Sequence, residues 1–225
     1  MSSINELKKV VTENIFNTIK HPYLNKHLPT PKFDDVKLLL LLQVLVEGKF
    51  EEDQIIHYCK ALMIHQIALD THEKVSSYEG SKLVREKKQL TVLEGDYYSG
   101  LYYEALANSG EINLIKELSY AVEEMNEQKI NLVHHHFASL TELLECITII
   151  ESTIHVHFSK YIGAEHFVKE IEKQCLLSRI KKEQVNLEKN LETDFLIQIQ
   201  NIIGVKNDKN RLKEEIINII TKLQN

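Results

Sequence analysis

The sequence predicts an all-α protein, a bundle of amphipathic helices. Three observations carry that expectation. Apolar residues recur at three- and four-residue spacing along most of the chain, no segment alternates apolar and polar as a strand would, and only seven Gly and three Pro interrupt 225 residues. No internal repeat is present, and one all-helical domain over residues 1–225 is the expected organisation.

Ile4, Leu7, Val10, Val11 and Ile15 form the stripe of a first helix, which His21-Pro22 closes because the residue before proline is driven out of the helical region. Leu28-Pro29-Thr30-Pro31 is a stiff connection. Asp34 or Asp35 then caps a helix that runs through the leucines at 38–42 to Gly48, its C-terminal stop. Gln43 and Glu47 interrupt that apolar run well short of the roughly 20 residues a membrane-spanning helix needs, so it reads as a buried helix. Glu51, Glu52 and Asp53 suit the positive end of the next helix dipole, and Ile55, Tyr58, Leu62 and Leu69 give that helix an apolar face as far as Asp70.

Residues 74–88 lack a sustained apolar period and hold Gly80 among polar residues, which predicts a mobile loop. Leu90, Leu93, Tyr97 and Leu101 are the stripe of the helix that follows, ended by Asn108-Ser109-Gly110. Leu114, Leu118, Val122 and Met125 mark another, and residues 130–162 read as one long helix closed by Gly163. Residues 181–192 are charged and read as a solvated stretch or helix junction, with two amphipathic helices at 195–203 and 212–223; the helices of 181–225 are expected at the periphery.

Lys and Arg total 27 against 33 Asp and Glu, a formal charge of -6, which removes the clustered basic face that nucleic-acid binding needs. Cys59, Cys146 and Cys175 are an odd set without CxxC spacing, each inside an apolar helical pattern, and read as reduced core thiols. The first residues lack the layout of a signal peptide, and a cytoplasmic location is expected.

Residues 89–132 carry the most specific pattern: Val92, Leu93, Gly95, Asp96 and Tyr97, then Ala105, Leu106, Ala107, Gly110, Leu114, Ile115, Leu118, Ser119 and Ala121. This run resembles the trans-type polyprenyl diphosphate synthases, in which a helix bearing a VLAGDYL-like sequence precedes a second helix of this pattern. Catalytic members of that group carry an aspartate-rich DDxxD motif just upstream, whose carboxylates hold magnesium ions against an allylic diphosphate. Here the corresponding stretch reads Leu69-Asp70-Thr71-His72-Glu73-Lys74-Val75, with Asp70, His72 and Glu73 at degenerate motif positions. The arginine pair that follows it in catalytic members is missing, since Arg85 stands alone among lysines. The second aspartate-rich motif is missing too: Asp194 and Asp208 are isolated.

The words LDTHEKV and EGDYYSGLYY are similar to the heptaprenyl diphosphate synthase component I family, the small non-catalytic subunits of heterodimeric synthases. That resemblance implies a truncated version of the all-helical isoprenyl synthase fold with no catalytic or metal-binding residues of its own. It implies a partner, component II, that holds Mg2+ and extends farnesyl diphosphate with isopentenyl diphosphate. The all-trans product would be of heptaprenyl length and serve the menaquinone side chain. The isolated chain is then expected to be inactive, compatible with a homodimer, and peripheral to the membrane when it handles a long-chain product. Tyr97, Tyr98, Leu101, Tyr102 and Met125 become candidates for the partner interface or the product tunnel, and Gly95 and Asp96 are the family-matching pair.

Other readings of these residues compete. On composition alone Tyr97 belongs to a core stripe and the neighbouring tyrosines fill gaps. Capping or partner contact explains Asp70, His72 and Glu73 better than a residual metal site, because Ser76 stands where HExxH would need a second His. His134, His135 and His136, read as consecutive helical residues, point about 100° apart and cannot converge on one ion. The same geometry separates His155 from His157. Two other functions stand against the subunit reading: a prenyl transferase active by itself with a degenerate metal site, and a helical interaction or regulatory module unrelated to isoprenoids.

Overall fold

A computed structural model describes residues 3–75, 82–204 and 208–224. Every regular element among them is helical. The chain divides into two compact units, Met1–Ile115 and Lys116–Asn225.

The first unit holds α1 (Ile4–Ile19), α2 (Pro22–His27), α3 (Asp35–Glu47), α4 (Glu52–Glu73) and α5 (Lys82–Asn108). Ser3 starts α1 with a reciprocal capping box to Glu6. Pro22 does more than close α1: it is the first residue of α2, where its missing N–H costs nothing, and His21 caps that turn. Asp34 caps α3 by accepting the Val36 N–H at 2.9 Å. At the far end of α3 the left-handed residue is Lys49, φ 57°, one position past Gly48. Gly48 is required for a different reason, because a Cβ there would lie 2.9 Å from the Phe50 ring.

α4 is the centre of this unit, packed on α5, α1 and α3. Every residue from Ala61 to Ala68 is buried, so the helix is enclosed all round rather than along one stripe, and it runs one turn beyond Asp70 to Glu73. The expected loop at 74–88 is shorter on its far side: α5 already begins at Lys82, while 76–81 lie outside the described residues.

The core stripe of α5 also differs from expectation. Tyr98, Tyr102 and Leu106 are buried at four-residue spacing, with Glu94 one turn before them, whereas Leu93 is 61% exposed and Leu90, Tyr97 and Leu101 are half-buried. Helical residues one apart are rotated by about 100°, so an apolar stripe displaced by one position faces elsewhere. Gly110, φ 78°, ends the turn after α5, and the Glu111 N–H reaches back to the Leu106 carbonyl at 2.9 Å.

α6 (Ile112–His134) begins in the first unit and runs on into the second, which also holds α7 (Leu140–Tyr161), α8 (Val168–Glu188), α9 (Asp194–Ile203) and α10 (Lys209–Gln224). The long helix expected over 130–162 is broken at 135–139. Ser139 caps α7 through the Glu142 N–H, and the Glu142 carboxylate accepts the Ala138 N–H at 2.8 Å and faces His135 at 3.0 Å. Only His134 of the three histidines is therefore helical. Gln198 of α9 donates to the Leu132 and His135 carbonyls, which would otherwise be left bare where α6 ends.

The stretch 181–192 is mostly helix, since α8 continues to Glu188. Arg179 explains it: the guanidinium bridges Glu151 of α7 at 2.7 Å and Glu183 at 2.8 Å. The Glu183 carboxylate, 1% exposed, also accepts the Thr193 hydroxyl at 2.7 Å and so ties α8 to the start of α9. Residues 181–225, expected at the periphery, place Phe195, Ile199, Ile216 and Ile219 in the core of this unit. The three cysteines are buried and none is in a disulfide; burial holds the Cys59 thiol far above its usual range and pushes Cys146 up to about 11.

Candidate functional site

The residues singled out by the DDxxD resemblance sit where the last turns of α4 pass α5. Asp70 accepts the Gln66 side-chain amide at 2.7 Å, one turn back on α4. His72 turns its ring onto Gly95 of α5; a Cβ at that position would lie 2.6 Å from the imidazole Cε1. Its Nε2 is 3.7 Å from the Asp96 carboxylate. Glu73 is exposed at the helix end. The structure thus brings His72, Gly95 and Asp96 together, and it explains the Gly-Asp pair physically. Glycine provides the notch that accepts the ring, and Asp96 flanks it.

This donor set does not fit a magnesium–diphosphate centre. Magnesium demands oxygen ligands in near-octahedral array, and the middle of the motif is an imidazole packed against backbone. Among the described residues, no three His, Cys, Asp or Glu side chains converge as a metal-binding group.

The aromatic candidates divide by depth. Tyr98 and Tyr102, 1% and 2% exposed, are core residues of the first unit. The Tyr98 hydroxyl donates to the buried Glu94 carboxylate at 2.8 Å, and Tyr102 stacks on His65 of α4 with centroids 4.2 Å apart and planes 11° from parallel. Burial raises both phenols well above their usual range, with Glu94 adding to the effect at Tyr98. The same burial pulls His65 down to about 4, so its ring is neutral. Tyr97 sits edge-on to His21 at 5.2 Å, half-buried like Leu101, and Met125 is buried on α6.

Glu94 and His65 were not foreseen as site residues. Glu94 left a signal, a carboxylate one helical turn before Tyr98, whereas His65 lies inside an apolar run with nothing in its spacing to mark it.

Leu90 and Leu93, expected as core, instead line an open cleft of about 640 Å3 between α5 and α2, together with Tyr23, His27, Glu86 and Lys87.

The family model described as heptaprenyl diphosphate synthase (HEPPP synthase) subunit 1 matches residues 21–225. The chain belongs to this family. Over 124 residues it is 40% identical to heptaprenyl diphosphate synthase component 1 of Geobacillus stearothermophilus. That alignment spans 55% of this chain and 55% of the relative, so the match covers about half the relative's length. In fold, the chain is similar to the geranylgeranyl pyrophosphate synthetase of the archaeon Geoglobus acetivorans, with a TM-score of 0.61 over 98% of this chain and 92% of that one at 12% identity. The subunit 1 family member described here thus has an all-helical isoprenyl synthase fold, with an imidazole in a glycine notch at the degenerate motif.

Proposed function

We propose that this chain is the non-catalytic subunit of a heteromeric heptaprenyl diphosphate synthase, required by a catalytic component that extends farnesyl diphosphate with isopentenyl diphosphate for menaquinone synthesis. The observation that carries the reading is the α4–α5 crossing. The chain keeps the scaffold of the fold, but His72 packed on Gly95 stands where the resemblance expects a carboxylate cluster. Magnesium and the ionisation of the allylic diphosphate belong, on this reading, to the partner.

The chain's contribution is surface and shape. Tyr120, Ile130 and Val133 of α6 are large apolar side chains about half exposed, as expected of a helix that a partner covers. Tyr97 and Leu101 retain accessible area for a partner or a product chain, while Tyr98 and Tyr102 are enclosed and act on the site only through the packing of α5 on α4. Among the described residues no helix is long and apolar enough to cross a membrane, and peripheral contact is the mode proposed for handling a long-chain product.

The test is prenyl transfer from labelled isopentenyl diphosphate to farnesyl diphosphate with magnesium, using this chain, the candidate catalytic component, and both. Activity in the mixture alone is the expected result. Activity of this chain alone, or no gain on mixing, would sink the proposal. Tyr120→Asp with Ile130→Asp should raise the subunit concentration needed for half-maximal activity at least tenfold, about 1.4 kcal/mol of assembly energy.

A further inference from the structure

Residues 116–134 of α6 belong to the second unit, where Leu118, Ala121, Met125 and Leu132 are buried. Glu117 and Glu124 turn to His157 of α7, at 2.8 Å and 3.2 Å. Opposite the buried stripe runs a line of exposed residues at three- and four-residue spacing: Lys116, Tyr120, Glu123, Glu127, Ile130 and His134. Two carboxylates therefore stand between the two large apolar side chains of this line. We infer that α6 selects its partner by charge: the line excludes a second copy of this chain and fits a helix of the catalytic component that carries Lys or Arg opposite Glu123 and Glu127.

The exclusion follows from the order of the residues. Identical chains pair about a two-fold axis, so every contact occurs twice. When two α6 helices run antiparallel with Tyr120 on Ile130 of the other copy, the same register sets Glu123 on Glu127 and Lys116 on His134. Four carboxylates then meet at the centre, and no lysine of the line faces them. A parallel pair sets each carboxylate on its own counterpart. Sliding the antiparallel pair until Lys116 meets Glu127 sets Tyr120 on Glu123 and leaves Ile130 without an apolar counterpart. Lys116 already lies over the Tyr120 ring of its own helix, 5.8 Å from the centroid. Each self-pairing thus gives up either the apolar contact or the charge balance, and like charges repel more strongly as the contact loses water. A different chain escapes the constraint. Two cations facing Glu123 and Glu127 keep the burial of Tyr120 and Ile130 and replace repulsion by attraction.

This inference rests on the subunit reading for the identity of the partner, but its first test does not. Sedimentation equilibrium of this chain alone should find a monomer, whereas Glu123→Gln with Glu127→Gln should bind itself about tenfold more tightly than wild type, or better. With the candidate catalytic component, wild-type assembly should weaken as salt is raised, and Glu123→Lys with Glu127→Lys should raise the concentration for half-maximal assembly about tenfold or more. Both sites are exposed, so the helix content of the variants should match wild type.

A wild-type homodimer, a neutralised variant that stays monomeric, or a charge-reversed variant that assembles as wild type does would overturn the inference. Prenyl transfer by the wild-type mixture reports on the subunit reading separately. Transfer that survives charge reversal at limiting subunit leaves that reading standing and removes this one. No gain on mixing removes that reading, and self-association of the neutralised variant still decides whether the carboxylates exclude a second copy.

Discussion

The two compact units enclose polar groups by opposite means. In Met1–Ile115 the enclosed polar groups of the α4–α5 packing are mainly rings, with His65 flat on Tyr102 and the Tyr98 phenol closing on Glu94. In Lys116–Asn225 the enclosed charges form an ion network, Arg179 between Glu151 and Glu183, while nearer the surface His157 of α7 lies between Glu117 at 2.8 Å and Glu124 at 3.2 Å, with the Thr153 hydroxyl donating to Glu124. A buried ring stack keeps protons out, because charging the imidazole would require desolvating a cation. An ion network must keep every member charged, because removing one leaves the others buried and unpaired. The first unit is therefore expected to respond to pH and the second to loss of a single side chain.

Arg179→Met should break the second unit most severely. It takes the guanidinium away from the nearly inaccessible Glu183 and the largely buried Glu151, a loss of roughly 3–5 kcal/mol readable by urea denaturation. Replacing Arg179, Glu151 and Glu183 together by apolar residues should recover much of that loss, and failure to recover it would show that the ions contribute more than mutual compensation.

His65 supplies the pH arm. Its folded-state value of about 4 lies below the usual 6.5, so the unfolded chain binds the extra proton between those values. Stability is full above pH 6.5 and falls by roughly 3 kcal/mol as pH drops to about 4, where the loss levels off. His65→Phe keeps an aromatic partner for Tyr102 and should remove that component of the pH dependence in urea titrations at pH 7.5 and 4.5.

Gln198→Ala tests the capping of α6. Two carbonyls lose their donor, and a decrease of about 1–2 kcal/mol is expected, seen as faster amide exchange in the last turn of α6. The smallest effect, and the sharpest on the candidate site, comes from Gly95→Ala. The methyl gains about 1 kcal/mol of helix propensity but drives the His72 ring away. In a His72→Ala background the full gain should appear as a higher Tm, and in the wild-type background most of it should vanish. Equal effects in both would mean that the ring does not need the notch.

Much of the fold is legible in the sequence. A cap at Asp34 or Asp35, which the structure assigns to Asp34, stops at Gly110 and Gly163, and the apolar period marked most of the helices, because each signal rests on local backbone chemistry. The break at 135–139 was obscured by an apolar period that continues through it, and becomes legible only with Ser139 and Glu142 acting as a cap and Gln198 arriving from 66 residues away. The continuity of α8 through 181–188 was hidden for a similar reason, since Arg179 pairs with Glu151 on another helix as well as with Glu183 on its own.

The sequence by itself determined that this chain is helical, that it is kin to the isoprenyl synthases, and that its motif at Asp70, His72 and Glu73 holds one Asp and one Glu where the resemblance expects three Asp. Tertiary structure alone decided which of two stripes on α5 is core. Leu90, Leu93 and Tyr97 and the neighbouring Glu94, Tyr98 and Tyr102 are offset by one residue and both follow a helical period, so spacing cannot rank them. The choice fell to the face that meets α4, where His65 offers a ring to Tyr102 and His72 needs the notch at Gly95; the leucines were left to line the cleft with α2.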